Sequence, residues 1–298
     1  MRVLIHPSKH KLIVVSTAAL VCFLGFLALS EILEAYQLYT LFGVSWGIYF
    51  FIIIWQTFIF DLHLKKAGSV TAWERSLVRA LIHRTEYLEQ IDHLAHFLNY
   101  LILPSVVYWA TVGLLYLNPF DFALKQIFIL LSTIALTINF WYLKSVFLDH
   151  KKSRYIERQL FFLVKLYAIF VAFTVSFGIS RYFGYPGEVF WVLVAGITYV
   201  LMYQAFFQHH HVKPDVVKFL LLSSLLMGAL GFMVFQLWNV NYFSGALVLA
   251  AVYNTMWGII HHKYLDKNLT REIVYEYLAV LFVILVIVFS STNFAERV

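Results

Sequence analysis

The stretch GEVFWVLVAGITYVLMYQAFFQ (187–208), followed by HHHVKPD (209–215), decides how this chain is read. From Val189 to Phe207 it contains no charged residue, and it ends on three consecutive histidines before Lys213 and Pro214. A helix needs about 20 mainly apolar residues to cross the hydrocarbon layer, and a strand cannot cross it unless a barrel closes. The run has the length of a span and lacks strand-like alternation, so it reads as a transmembrane helix with histidines at its water-facing end.

Eight further runs share this character: 12–30, 44–62, 97–117, 126–148, 159–180, 217–236, 243–260 and 273–291. The composition agrees with them. Apolar residues make up 62% of the chain and charged residues 13%, with a mean hydropathy of +0.79. Soluble domains have roughly 45–50% and about 25%. The expected fold is an all-α polytopic membrane protein with about nine spans, forming a single transmembrane helical domain over residues 1–298. Ala28-Leu29-Ser30 has some likeness to a signal-peptide cleavage site, but the first run exceeds a typical signal core and is read as a helix.

Charge sets the orientation. With the N-terminus cytoplasmic, the inner segments carry Arg2, Lys9, Lys11, Lys65, Lys66, Arg75, Arg79, Arg84, Lys151, Lys152, Arg154, Arg158, Lys213, Lys218, Lys263, Lys267 and Arg271. The outer segments hold Lys125, Arg181 and Arg297, while Lys144 and Lys165 fall inside helices near their inner ends. Basic residues collect on the cytoplasmic side of membrane proteins. The net charge of +6 therefore orients helices and implies no nucleic-acid partner. Between the second and third runs, Thr71 and Glu74 form a capping box. Trp73, Leu77, Val78, Leu81 and Ile82 lie opposite Arg75, Arg79 and Glu86, which predicts an amphipathic helix on the inner membrane surface.

In this topology all 12 histidines lie on the inner side. Histidine suits helix C-termini and interfaces for its partial positive charge alone. Asp61 before His63, Asp92 before His93 and His96, and Asp149 before His150 fit that role less well, because a carboxylate at a helix C-terminus opposes the dipole. Beside an imidazole, a carboxylate can ligate a metal or fix the ring's tautomer. Asp92, His93 and His96 can share one helical face. His261 and His262, being adjacent, diverge by about 100° on a regular helix and are expected to converge only where it frays.

Four even-numbered spans also carry an amide two or three turns before a histidine: Gln56 before His63, Asn139 before His150, Gln204 before His211 and Asn254 before His261. These spacings keep each amide within about 20° of its histidine's face. Polar groups in hydrocarbon face the bundle interior, although amides also serve simply as links between helices.

Cys22 is the chain's one cysteine, which excludes a disulfide framework and argues against thiolate metal sites. Imidazole with carboxylate suits iron, zinc, copper or manganese. The candidate ligands are His63, His93, His96, His150, His209, His210, His211, His261 and His262 with Asp61, Asp92 and Asp149. Gln56, Asn139, Gln204 and Asn254 would line a pocket or brace them.

This layout, with His93-Leu94-Ala95-His96, His209-His210-His211 and His261-His262 on one membrane face, resembles the integral-membrane histidine-box non-haem iron enzymes: fatty-acid desaturases and hydroxylases and, more distantly, bacterial carotenoid-cleaving dioxygenases. The resemblance lies in layout over most of the chain; the HxxHH boxes of the desaturases are absent. It implies one or two iron ions acting with dioxygen on a fatty-acyl, sterol or isoprenoid/carotenoid substrate. A desaturase-like reaction adds an electron-donor protein at the basic inner face. Other divalent transition metals remain open, as do two further readings: a divalent-metal or proton transporter or sensor, and a noncatalytic membrane subunit. Either the plasma membrane of a prokaryote or an endomembrane would accommodate the chain.

Overall fold

The structure is a computed structural model and describes residues 9–35, 42–52, 91–148, 155–208, 214–238 and 241–292. Among these, all regular structure is helical: α1 Lys9–Ala35, α2 Phe42–Ile52, α3 Ile91–Leu117, α4 Phe122–Leu148, α5 Tyr155–Tyr182, α6 Gly187–Gln208, α7 Pro214–Leu237, α8 Tyr242–Tyr264 and α9 Arg271–Ser291. Seven of them (α1 and α4 to α9) hold a stretch long and apolar enough to cross a membrane; the apolar stretches of α2 and α3, Phe42–Ile52 and Leu101–Leu117, are shorter. The chain is a multi-pass helical membrane protein. Helices follow from the apolar runs because lipid offers no partner for an open N–H or C=O, and a helix pairs both internally. The predicted amphipathic helix and the second half of the run 44–62 lie outside the described residues.

The connections have local causes. After α5, Gly184 takes φ +64°, Tyr185 N–H donates to Ser180 C=O (2.8 Å) and Gly184 N–H to Arg181 C=O (3.2 Å), after which Pro186 prevents continuation. This is a Schellman closure, which requires the left-handed conformation glycine tolerates. Asn241 starts α8 by accepting from Phe243 N–H at 2.8 Å. The C-terminal carbonyls of α7 are met by Arg181, whose guanidinium donates to Phe235 C=O and Trp238 C=O and lies 4.1 Å from the Phe235 ring centroid.

The chain divides into two compact units, residues 1–164 and 165–298. In the first, α1, α3 and α4 pack together. Phe26 of α1 stacks on Tyr108 of α3 at 5.7 Å, Tyr108 donates to Ser45 C=O of α2 at 2.7 Å, and Thr111 donates to Ser132 of α4 at 2.9 Å. In the second, α6 lies along α7, α7 touches α8, and α8 packs on α9. A Cβ on Gly228 of α7 would come within 2.9 Å of Ala195 Cβ and the Trp191 backbone oxygen, so bare backbone brings α6 and α7 together.

Helix α5 runs antiparallel to α8. Phe177 closes over Gly245, Phe173 meets Tyr253 at 6.4 Å, and the Lys165 ammonium lies 5.5 Å from the Trp257 ring centroid. Going down α5 is thus going up the residue numbers of α8. The ladder ends beside His261.

Candidate metal centre

Helix α8 carries on through His261 and His262 to Tyr264, one turn beyond the end expected at residue 260. The two histidines do converge, and no fraying is involved. Leu265 and Asp266 N–H both donate to His261 C=O, at 2.9 and 3.2 Å. Lys267 then adopts φ +54°, and Asn268 N–H donates to His262 C=O at 3.1 Å. The turn folds back under the last turn of α8 and brings a carboxylate to both rings. Asp266 Oδ2 lies 3.1 Å from His261 Nδ1 and 3.2 Å from His262 Nδ1. Asn268 Oδ1 stands 2.9 Å from the same His262 nitrogen. The next helix begins at once, with the Thr270 hydroxyl accepting from Ile273 N–H.

One ligand atom from each of His261, His262 and Asp266 lies within 4.8 Å of the others. The side chains of His261, His262 and Asp266 are 32%, 24% and 40% exposed, so the group is open at its surface without standing in bulk water. Metal–ligand bonds of about 2.0–2.2 Å at tetrahedral or octahedral angles separate neighbouring donor atoms by about 3.0–3.5 Å. The two nitrogen–oxygen distances fall in that range. Without a metal, the same contacts are hydrogen bonds in which an Nδ1–H donates to the carboxylate.

Aromatic rings form the walls. Trp257, one turn earlier on α8, meets His261 edge-on at 5.7 Å. On the other side Tyr277 of α9 lies 6.0 Å from the His262 ring. It can do so because Gly258 has no side chain; a Cβ there would fall 2.2 Å from the Tyr277 ring.

Of the other residues expected to contribute, Gln56, Asp61, His63, Asp149, His150 and His209 to His211 lie outside the described residues. Asp92, His93 and His96 fall in the first turns of α3, with side chains outside the description. Asn139 is fully buried in α4, and neither amide atom has a hydrogen-bond partner among the described residues. Gln204 is buried in α6, while Asn254 is half-buried on α8 two turns before His261. Asp266, Asn268 and Tyr277 were not anticipated from sequence. The signal for Asp266 in the sequence is its spacing of four residues from His262; unlike Asp61, Asp92 and Asp149 it follows its histidines instead of preceding them.

Comparison with family models, with curated proteins and with solved structures finds no match to this chain.

Proposed function

We propose that this protein is a membrane metalloenzyme in which His261, His262 and Asp266 hold a divalent transition metal at the inner end of α8. The observation that carries this reading is the convergence of two imidazole nitrogens on one carboxylate oxygen at 3.1 and 3.2 Å. Two histidines and a carboxylate with further positions open form the donor set of non-haem iron oxygenases. Together with the histidine-box layout, this favours iron over the other candidates. Iron so held would supply oxygen-dependent oxidation of a C–H or C=C bond in a lipidic substrate. His63, His93, His96, His150 and His209 to His211, with Asp61, Asp92 and Asp149, are further ligands in this reading, enough for a second ion. Gln56, Asn139, Gln204 and Asn254 brace them or line the substrate space.

The protein's own groups have defined tasks. Asp266 neutralises charge and aligns both imidazoles, and Asn268 steadies the His262 ring. Trp257 and Tyr277 limit the access of water from either side. The reading also includes nine spans, a cytoplasmic N-terminus, the surface helix over residues 71–86 and a basic inner face on which an electron-donor protein docks.

Metal analysis of untagged, detergent-purified protein tests the proposal. Stoichiometric iron is expected, with losses in His261→Ala, His262→Ala and Asp266→Ala proteins that keep their thermal midpoint. Wild-type protein containing only trace transition metal, even after reconstitution with ferrous iron, would sink it.

A further inference from the structure

We infer that Asn268 is a further ligand of the metal site, so that the chain supplies two nitrogen and two oxygen donors, all from residues 261–268. This rests on the metal-site reading above and deepens it, by adding a ligand which that reading does not include and the class of ion the enlarged set prefers.

The amide is built towards the cluster. Lys267 at φ +54° turns the chain back, and Asn268 N–H donates to His262 C=O at 3.1 Å. The Asn268 backbone is thereby tied to the residue whose ring its own side chain meets, with Oδ1 2.9 Å from His262 Nδ1. An asparagine at a turn can return its oxygen to the backbone two residues on, as Asn241 does with Phe243 N–H. Asn268 directs it at an imidazole nitrogen instead.

Proton counting favours a cation between these atoms. Asp266 Oδ2 lies 3.2 Å from the same His262 Nδ1 and 3.1 Å from His261 Nδ1. An amide oxygen and an ionised carboxylate only accept, and an imidazole Nδ1 carries at most one proton. His262 thus has one proton to offer two oxygens that face the same nitrogen. A divalent ion among them takes the nitrogen lone pair and both oxygens at once. Ligands at right angles, each about 2.1 Å from an ion, are about 3.0 Å apart, and the 2.9 Å between Asn268 Oδ1 and His262 Nδ1 matches that spacing. Asp266 and Asn268 are both exposed, so an ion reaches their oxygens from solvent.

The added donor changes the ion that fits. Imidazole suits zinc, copper, iron and nickel, whereas carboxylate and carbonyl oxygens suit harder ions such as manganese. Two of each shift the preference towards ferrous or manganous ion, relative to a site with nitrogen in place of the amide.

The test uses the full-length, untagged protein in a nonionic detergent, stripped of metal with a chelator. Dissociation constants for Mn²⁺ and Zn²⁺ are measured by competition with a metal-sensing dye. Asn268→Leu should weaken Mn²⁺ binding at least about tenfold, a difference of about 1.4 kcal/mol. Asn268→Asp keeps an oxygen donor and should bind Mn²⁺ at least as tightly as wild type. Asn268→His puts a nitrogen donor at the same place and should move the ratio of affinities towards Zn²⁺ by at least about tenfold. An amide that only steadies the His262 ring would leave that ratio where it was. Unchanged Mn²⁺ affinity in Asn268→Leu overturns the inference, as does an unmoved ratio in Asn268→His. If Asn268→Leu does not fold, the Asp and His variants decide. Wild-type protein that binds neither ion overturns the metalloenzyme reading and this inference with it. Wild-type protein that binds them, with affinities indifferent to the residue at 268, overturns this inference alone.

Discussion

Gly258 shows how one residue shapes the site. Its missing side chain is where Tyr277 lies, and Tyr277 is what closes the His262 side of the cluster. Adding one methyl group puts a Cβ 2.2 Å from the ring, which must swing away or push α9 off α8. Overpacking of this kind costs about 1–3 kcal/mol. Gly258→Ala should therefore lower the thermal midpoint and open His262 to water. The double variant Gly258→Ala/Tyr277→Ala should lose less than the two single changes added together, because the second change removes the clash created by the first. Additive losses in a double-mutant cycle would mean that the contact is not what matters. Asp266 makes a related point at the same scale. His261 and His262 diverge on a regular helix, and what brings them to a common partner is the turn after Tyr264, with Lys267 at φ +54°. Nothing in the identity of Lys267 announces a left-handed residue, so the convergence was not legible, although the spacing of Asp266 from His262 was.

The helices themselves were largely legible. The expected runs 126–148, 159–180, 187–208, 217–236 and 273–291 coincide with α4, α5, α6, α7 and α9 to within about four residues, because the length of an apolar run reflects the thickness it must cross. The run 243–260 fits α8 as closely, and the four residues by which α8 outlasts it are the ones that bear on the site. Hydropathy falls at the histidines, but backbone hydrogen bonding does not depend on apolar side chains, and the helix continues past the boundary to Tyr264. How the helices pair was less legible. The pairing of α6 with α7 depends on Gly228 against Trp191 and Ala195, and on Gly231 against Val194 at 3.1 Å. Ser224 and Gly228 have the small-xxx-small spacing typical of close membrane helices. Gly228→Leu should force the pair apart and lower stability by at least about 1–3 kcal/mol. Leu226→Ala, on a residue of α7 that is 58% exposed, should change it little. Unfolding in mixed micelles with increasing denaturing detergent would measure both; equal effects from the two variants would remove the close approach as the cause.

For the molecule as a whole, the question is which ends face the cytoplasm. The antiparallel ladder from Phe177 and Gly245 to Lys165 and Trp257 puts the α5–α6 connection and the α8–α9 connection at opposite ends of their helices. Charge then decides which end is inner. Lys263, Lys267 and Arg271 surround the α8–α9 connection, while Arg181, near the α5–α6 connection, is engaged with the carbonyls ending α7. On that charge rule the candidate metal centre is expected to face the cytoplasmic side. Cys22 is buried and is the only cysteine, so Cys22→Ala provides a background for single-site labelling. Tyr185 and Leu269 are 45% and 37% exposed in the two connections. In intact cells or spheroplasts expressing the protein in the plasma membrane, a membrane-impermeant maleimide should modify Tyr185→Cys directly. It should reach Leu269→Cys only after permeabilisation. The reverse pattern would place the histidine cluster outside and end the case for a cytoplasmic electron donor. Labelling of both sites in sealed cells would contradict the antiparallel arrangement of α5 and α8.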